Sequence, residues 1–193
     1  MNLLAHITKI DDKRIDQTLM EHCVNTAQFG ADSLEDSGFY NTVKLACLLH
    51  DMGKAKAGFN EYMESGFNGE EVKRGAVNHT FAGVIYLLEK YHDKGKMEKL
   101  TSEIVAYAIG AHHGLFDCID LDGENGFVHR LEKSRNDIFY EESLQGYFRE
   151  VEKEEEIDEY FGKAVGEIKE FYIKAQKLAE CEKDSNIPPK ASS

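Results

Sequence analysis

Proline is nearly missing from this chain: there are two in 193 residues, and both, Pro188 and Pro189, lie near the C-terminus. Each proline inside a helix removes a hydrogen bond and clashes with the preceding turn, so their scarcity leaves most of the chain free to form long helices. Basic charge is in deficit, with a net charge of -13 and a pI near 5.0. The imbalance is spread along the chain, so generic attraction to nucleic-acid phosphate is weak. A nucleic-acid substrate must then be held by metal ions and delivered by a partner. The four cysteines, Cys23, Cys47, Cys118 and Cys181, show no C-x-x-C spacing, which argues against a zinc ribbon or a disulfide framework. Cys23 and Cys47 fall in apolar helical runs and read as small buried hydrophobes. No apolar run approaches a membrane span. The start, Met-Asn-Leu-Leu-Ala-His, has neither the basic nor the long apolar region of a signal peptide. No G-x-x-x-x-G-K-[ST] phosphate loop occurs. The expectation is one soluble, cytoplasmic domain over residues 1–185, with no membrane partner and a disordered tail over 186–193.

Helical periodicity dominates what is present, with no clear strands, and the expected fold class is all-α. In residues 15–30, Ile15, Leu19, His22, Cys23, Thr26 and Ala27 recur at three- and four-residue steps, which predicts one helix face with His22 on it. A second helix is expected from about Asn41 to Asp51, with Val43, Ala46, Cys47 and His50 on one face and Gly53 ending it. A short helix follows around Gly58–Glu64, in an otherwise looped stretch. A third is expected to start at Asn78 as N-cap, placing His79 in its first turn and Phe81, Val84, Ile85 and Leu88 inward. A fourth spans about Thr101 to His113, with Ile104, Ala108, Ala111 and His112 on related faces. Residues 115–128 read as a loop, whose Asp120–Gly126 segment lacks the spacing and final glutamate of a calcium-binding EF-hand. The last helix, about 148–183, carries Ile157, Phe161, Val165, Ile168, Phe171, Ala175 and Leu178 as an apolar stripe behind an acidic start at Glu152–Glu156.

Against this background stands a doublet, His50 and Asp51, in the stretch Leu-Leu-His-Asp-Met-Gly-Lys from Leu48 to Lys54. An imidazole is a borderline nitrogen donor, and a carboxylate can bridge two cations through its two oxygens. A lone histidine on an apolar helix face is more often a hydrogen-bonded core residue. Five of them with an aspartate are harder to explain that way: His22, His50, His79, His112 and His113 recur once per helix and connection, at one level of a bundle. That many donors exceed one tetrahedral zinc site and suit two metals bridged by Asp51. The mixed nitrogen and oxygen donors favour Mn, Fe, Co, Ni or Zn, with Mg possible. Lys54 would add a fixed positive charge beside a phosphate, although spacing alone equally allows a solvent-exposed loop lysine. His6, His92 and His129 fall outside the pattern.

The run His22, His50-Asp51-Met-Gly-Lys54, Asn78-His79-Thr80 and Ala111-His112-His113-Gly114-Leu115 resembles the HD superfamily of metal-dependent phosphohydrolases. More narrowly, it is similar to the HD nuclease domain of the CRISPR-associated helicase–nuclease of type I interference systems. The stretch from His112 to Gly123 is most like the type I-C branch, and the resemblance covers roughly residues 4–180. It implies a metal-dependent endonuclease and exonuclease of antiviral defence that cuts single-stranded DNA, with the CRISPR interference complex and a helicase, on another chain or cut away from this one, as partners. It further implies that His22, His50 and Asp51 hold one metal, that Asp51, His79, His112 and His113 hold the other, and that Lys54 contacts substrate phosphate. One departure stands out. Family members carry a further metal-binding aspartate on a late helix among small and apolar residues, whereas Asp137, Asp158 and Asp184 here sit in polar surroundings. Truncation and divergence are the two readings of that gap. The alternatives to the nuclease are a generic HD phosphohydrolase acting on nucleotides and a metal-depleted binding module.

Overall fold

A computed structural model describes residues 2–73, 77–114 and 126–185, without the side chains of 133–137 and 181–185. Of the expected loop over 115–128, residues 115–125, with most of the Asp120–Gly126 segment, lie outside the described residues, as does the tail, and residues 126–128 are not loop but the start of a helix. Helices dominate: α1 (Leu19–Ser33), α2 (Tyr40–Leu49), α3 (Ala57–Phe67), α4 (Ala82–Tyr91), α5 (Lys96–Gly110), α6 (Gly126–Asp137), α7 (Tyr140–Glu150) and α8 (Glu154–Ser185). The all-α class holds. No described helix is long and apolar enough to cross a membrane.

The chain opens, however, on a hairpin of β1 (Leu4–Ile10) and β2 (Lys13–Thr18), where no strand was expected. Asp11 and Asp12 both take positive φ at its tip, as a two-residue hairpin turn requires. Ile15 therefore belongs to a strand and is exposed, and the predicted helix over 15–30 begins only at Leu19. Its start is fixed by a capping box. The Thr18 hydroxyl accepts from the Glu21 amide, and the Glu21 carboxylate accepts from the Thr18 amide. Leu19, Cys23, Ala27 and Ala31 then bury one face of α1 at four-residue spacing.

The α2 helix is the central element, packed against α1, α5 and α8. Glu167 of α8 accepts the first amides of α2, those of Asn41 and Thr42, both at 2.8 Å. A carboxylate at this end also answers the helix dipole. At the other end the fully buried Tyr147 donates its hydroxyl to the Leu48 carbonyl at 2.8 Å, so the last turn of α2 is anchored by α7.

Three further expectations are corrected. Asn78 does not cap a helix: α4 starts at Ala82, and Asn78 Oδ1 accepts from the Thr80 amide within a turn that holds His79 ahead of the helix. Phe81 is buried at the junction and turns the chain inward. Helix α5 runs Lys96–Gly110, earlier than predicted, leaving His112 and His113 just past its end and Ile104 exposed. The predicted long C-terminal helix is divided: α7 ends at Glu150, α8 begins at Glu154, and buried Val151 lies between them. Along α8, Ile157, Phe161 and Ile168 are buried, whereas Phe171 and Leu178 face solvent.

Candidate metal centre

The predicted site residues converge on one carboxylate. His50 is the residue on which α2 ends, still helical in its backbone, and Asp51 leads directly into a 3-10 turn over Met52–Lys54. Ending the helix there frees Asp51 to turn into the interior, where it is 2% exposed. One oxygen, Oδ2, lies 3.0 Å from His22 Nε2, 3.1 Å from His50 Nε2 and 2.8 Å from Lys54 Nζ. The other, Oδ1, faces His79 Nε2 at 3.8 Å and His112 Nε2 at 3.9 Å. His113 completes the far side, its Nε2 lying 3.0 Å from that of His79. Two clusters result, His22 with His50 and Asp51, and His79 with His112 and His113; within each, the candidate donor atoms lie within 4.8 Å of one another.

Backbone carbonyls fix the tautomers. A carbonyl can only accept, so His50 Nδ1 donates to Cys47 O at 2.7 Å, His112 Nδ1 to Ile109 O at 2.6 Å and His79 Nδ1 to Val77 O at 3.2 Å. In its neutral form each ring then presents a bare Nε2 lone pair inward, the arrangement that second-layer partners impose on metal-binding histidines. The consequence is an excess of acceptors. Asp51 Oδ1 and His112 Nε2 are buried with no hydrogen-bond partner, although buried polar atoms are nearly always paired. A cation satisfies both at once, so the donor set fits divalent metal.

Electrostatics agree with that fit. Burial opposes charge on Asp51, but the His22, His50 and Lys54 neighbours outweigh it and hold the carboxyl far below its usual range. Desolvation pushes His79 down to about 4 and lowers His112, so both are neutral at pH 7. His50 moves the other way: desolvation is outweighed by Asp51 beside it and by the Cys47 carbonyl. Lys54 is not the exposed loop lysine that spacing allowed. It is 6% exposed, bound to Asp51 and 5.4 Å above the Phe59 ring. Phe59 also packs edge-on against His79 at 5.2 Å and walls the site.

Sequence reasoning missed Phe59, whose position shows only once α3 folds over the 3-10 turn. It also set His6 aside, yet its ring lies 4.8 Å from that of His22. His92 is paired at the surface with Glu103 and Asp93, in keeping with its exclusion from the pattern. Of the late aspartates, Asp158 pairs with Lys90 and Tyr91 and belongs to neither cluster, and the side chains of Asp137 and Asp184 lie outside the described residues.

A helical bundle that gathers imidazoles around one buried carboxylate defines a class, the divalent-metal hydrolases. Residues 19–132, more than half of the chain, match the HD domain family, and the chain belongs to it. HD domains are metal-dependent phosphohydrolases, which sets the activity class of this protein. No curated protein matches the chain.

Proposed function

We propose that the chain is a two-metal phosphodiesterase that cuts single-stranded DNA, the nuclease of a type I CRISPR interference system served by a helicase domain or subunit. The observation that carries the two-metal part is the Asp51 carboxylate, with Oδ2 turned to His22 and His50 and Oδ1 turned to His79 and His112. His22, His50 and Asp51 would hold one divalent ion, and Asp51, His79, His112 and His113 the other, drawn from Mn, Ni, Co, Fe, Zn or Mg. Such a pair would supply Lewis acidity at a phosphoryl oxygen and would lower the pKa of a water bound to it. The chain's own residues do the rest. The Cys47, Val77 and Ile109 carbonyls keep three imidazoles in the ligating tautomer. Lys54 holds Asp51 ionised and keeps a positive charge at the place where a phosphate must come. Phe59 packs edge-on against the His79 ring and helps hold its orientation. The nuclease reading itself is supported by the paired His112 and His113 and by the stretch that follows them in sequence.

A nucleotide phosphohydrolase is the second reading, favoured by the net charge of -13, since a small substrate needs no basic strand channel. The test is to incubate the protein with circular single-stranded DNA and with nucleotides in Mn, Ni, Co or Mg. Cleavage of the circle that disappears in Asp51→Ala supports the nuclease. Nucleotide hydrolysis without DNA cleavage favours the second reading, and inactivity with every ion and substrate favours a binding module.

A further inference from the structure

His6 lies on β1, outside both histidine clusters. Side chains alternate across a strand, so a buried Leu4 should place Ala5 outside and His6 inside. The ladder does otherwise. Leu4 pairs with Thr18 and His6 pairs with Gln17, which leaves Ala5 as an extra residue and makes a bulge. Leu4 and Ala5 are therefore both buried, and His6 emerges on the open side. Bulges next to active sites commonly serve to re-aim one side chain. Here the re-aimed ring meets the His22 ring edge-on at 4.8 Å.

The position is braced from several directions. Leu4 N donates to Asn60 Oδ1 at 2.9 Å, Asn60 Nδ2 donates to Asn2 O at 3.0 Å, and Leu19 N donates to Leu3 O at 2.8 Å. Arg14 of β2 clamps the hairpin to Glu64 of α3 through two hydrogen bonds. The strand that carries His6 is thus tied to the helix that carries His22, and to the helix that carries Phe59. Yet among the described residues the His6 ring makes no hydrogen bond. An accessible, braced imidazole with both nitrogens free, beside the His22–His50–Asp51 cluster, is placed to meet something that enters the site.

We propose that His6 is a substrate-contacting residue whose imidazole donates a hydrogen bond to a non-bridging oxygen of the phosphodiester held at the His22, His50 and Asp51 cluster. The proposal rests on the phosphohydrolase reading above. It separates His6 from the metal ligands: removing it should weaken phosphate without releasing metal.

The test uses the full chain loaded with Mn. Metal per chain is measured by elemental analysis, binding of inorganic phosphate by calorimetry, and hydrolysis with bis(p-nitrophenyl) phosphate. His6→Ala should keep its metal and its thermal unfolding profile, bind phosphate about tenfold more weakly and lose diester hydrolysis by a similar factor, the scale of one hydrogen bond to a charged oxygen. His6→Gln, which retains a donor, should recover part of both. Thr8→Ala, an exposed change on the same strand, should stay within about twofold of the parent on the same scale. Unchanged phosphate affinity in His6→Ala, while the parent binds phosphate and hydrolyses the diester, overturns this inference alone. Metal loss in His6→Ala also overturns it, by making His6 a ligand or a brace. A parent protein that takes up Mn but neither binds phosphate nor cleaves the diester overturns the phosphohydrolase reading, and this inference with it.

Discussion

The Asp51 carboxylate is held ionised by its neighbours, since only 2% of the residue reaches solvent. Lys54 Nζ at 2.8 Å is the nearest fixed charge, and that ammonium is itself buried. A buried pair of this kind is expensive to break from one side, because the remaining charge loses its partner and cannot regain water. Asp51→Asn therefore has two separable effects. In metal-free protein it should lower the unfolding free energy by about 3 kcal/mol, by leaving Lys54 without its counter-charge. With Mn present, the parent should gain about 2.7 kcal/mol at a hundredfold excess over Kd, by mass action on the folded state alone. The variant should show little of that gain. Urea unfolding with Mn and with a chelator measures both. A variant that is destabilised yet stabilised by Mn as strongly as the parent would remove Asp51 from the metal centre and leave it as a counter-ion.

The second cluster depends on a turn rather than a helix, and two contacts hold that turn. Gly53 packs so closely against His79 that a Cβ there would collide with the His79 carbonyl. Lys56, buried behind it, donates from Nζ to Asn78 O at 2.7 Å and to Ile138 O at 2.8 Å. Burial pushes its ammonium down to about 8. Lys56→Met keeps the length of the side chain but strands two carbonyls, which should destabilise the fold by about 2–3 kcal/mol. If His79 ligates one of two metals, the same change should reduce bound metal from two ions per chain towards one, because the Lys56 Nζ bonds go to Asn78 and Ile138 and not to the segments that carry His22, His50 and Asp51. Elemental analysis beside a urea titration checks both; two ions retained would show that the turn holds without the lysine. This division also explains what was legible in the sequence. His22 lies next to a four-residue apolar repeat and His50 at the end of another, so helical periodicity alone puts them at one level. The place of His79 escapes periodicity because Phe81 and the turn at Asn78, not an N-cap, decide where α4 starts. The hairpin was illegible for a related reason: β2, Lys-Arg-Ile-Asp-Gln-Thr, has no buried residue and hence no alternating pattern. The break between Glu150 and Glu154 has no glycine or proline at 151–153, the residues that would have marked it in the sequence.

At the scale of the whole molecule, the ionisation of the two clusters sets how the metal-free protein responds to pH. His79 has a folded pKa of about 4, below the ordinary imidazole value of 6.5, because burial disfavours its charged form. Between those values the unfolded chain binds a proton that the folded chain refuses, so stability falls as pH drops from about 6.5 to about 4. His112, shifted in the same direction by the same cause, adds to the loss. His50 has the opposite sign. Its folded pKa is raised, so its contribution is fully present below 6.5 and fades only as pH rises through the folded value. It cannot offset the acid loss, because below 6.5 it is protonated in both states. The Asp51 contribution lies lower still, lost only below its unfolded value of 3.8. Chelator-treated protein should therefore lose up to about 3 kcal/mol between pH 6.5 and 4 from His79 alone. His79→Gln should flatten that slope without abolishing it, since His112 remains. A stability profile that is level from pH 6.5 to 4 in the parent would mean that His79 takes up its proton freely, and so that its ring is open to water rather than enclosed by Phe59 and the turn.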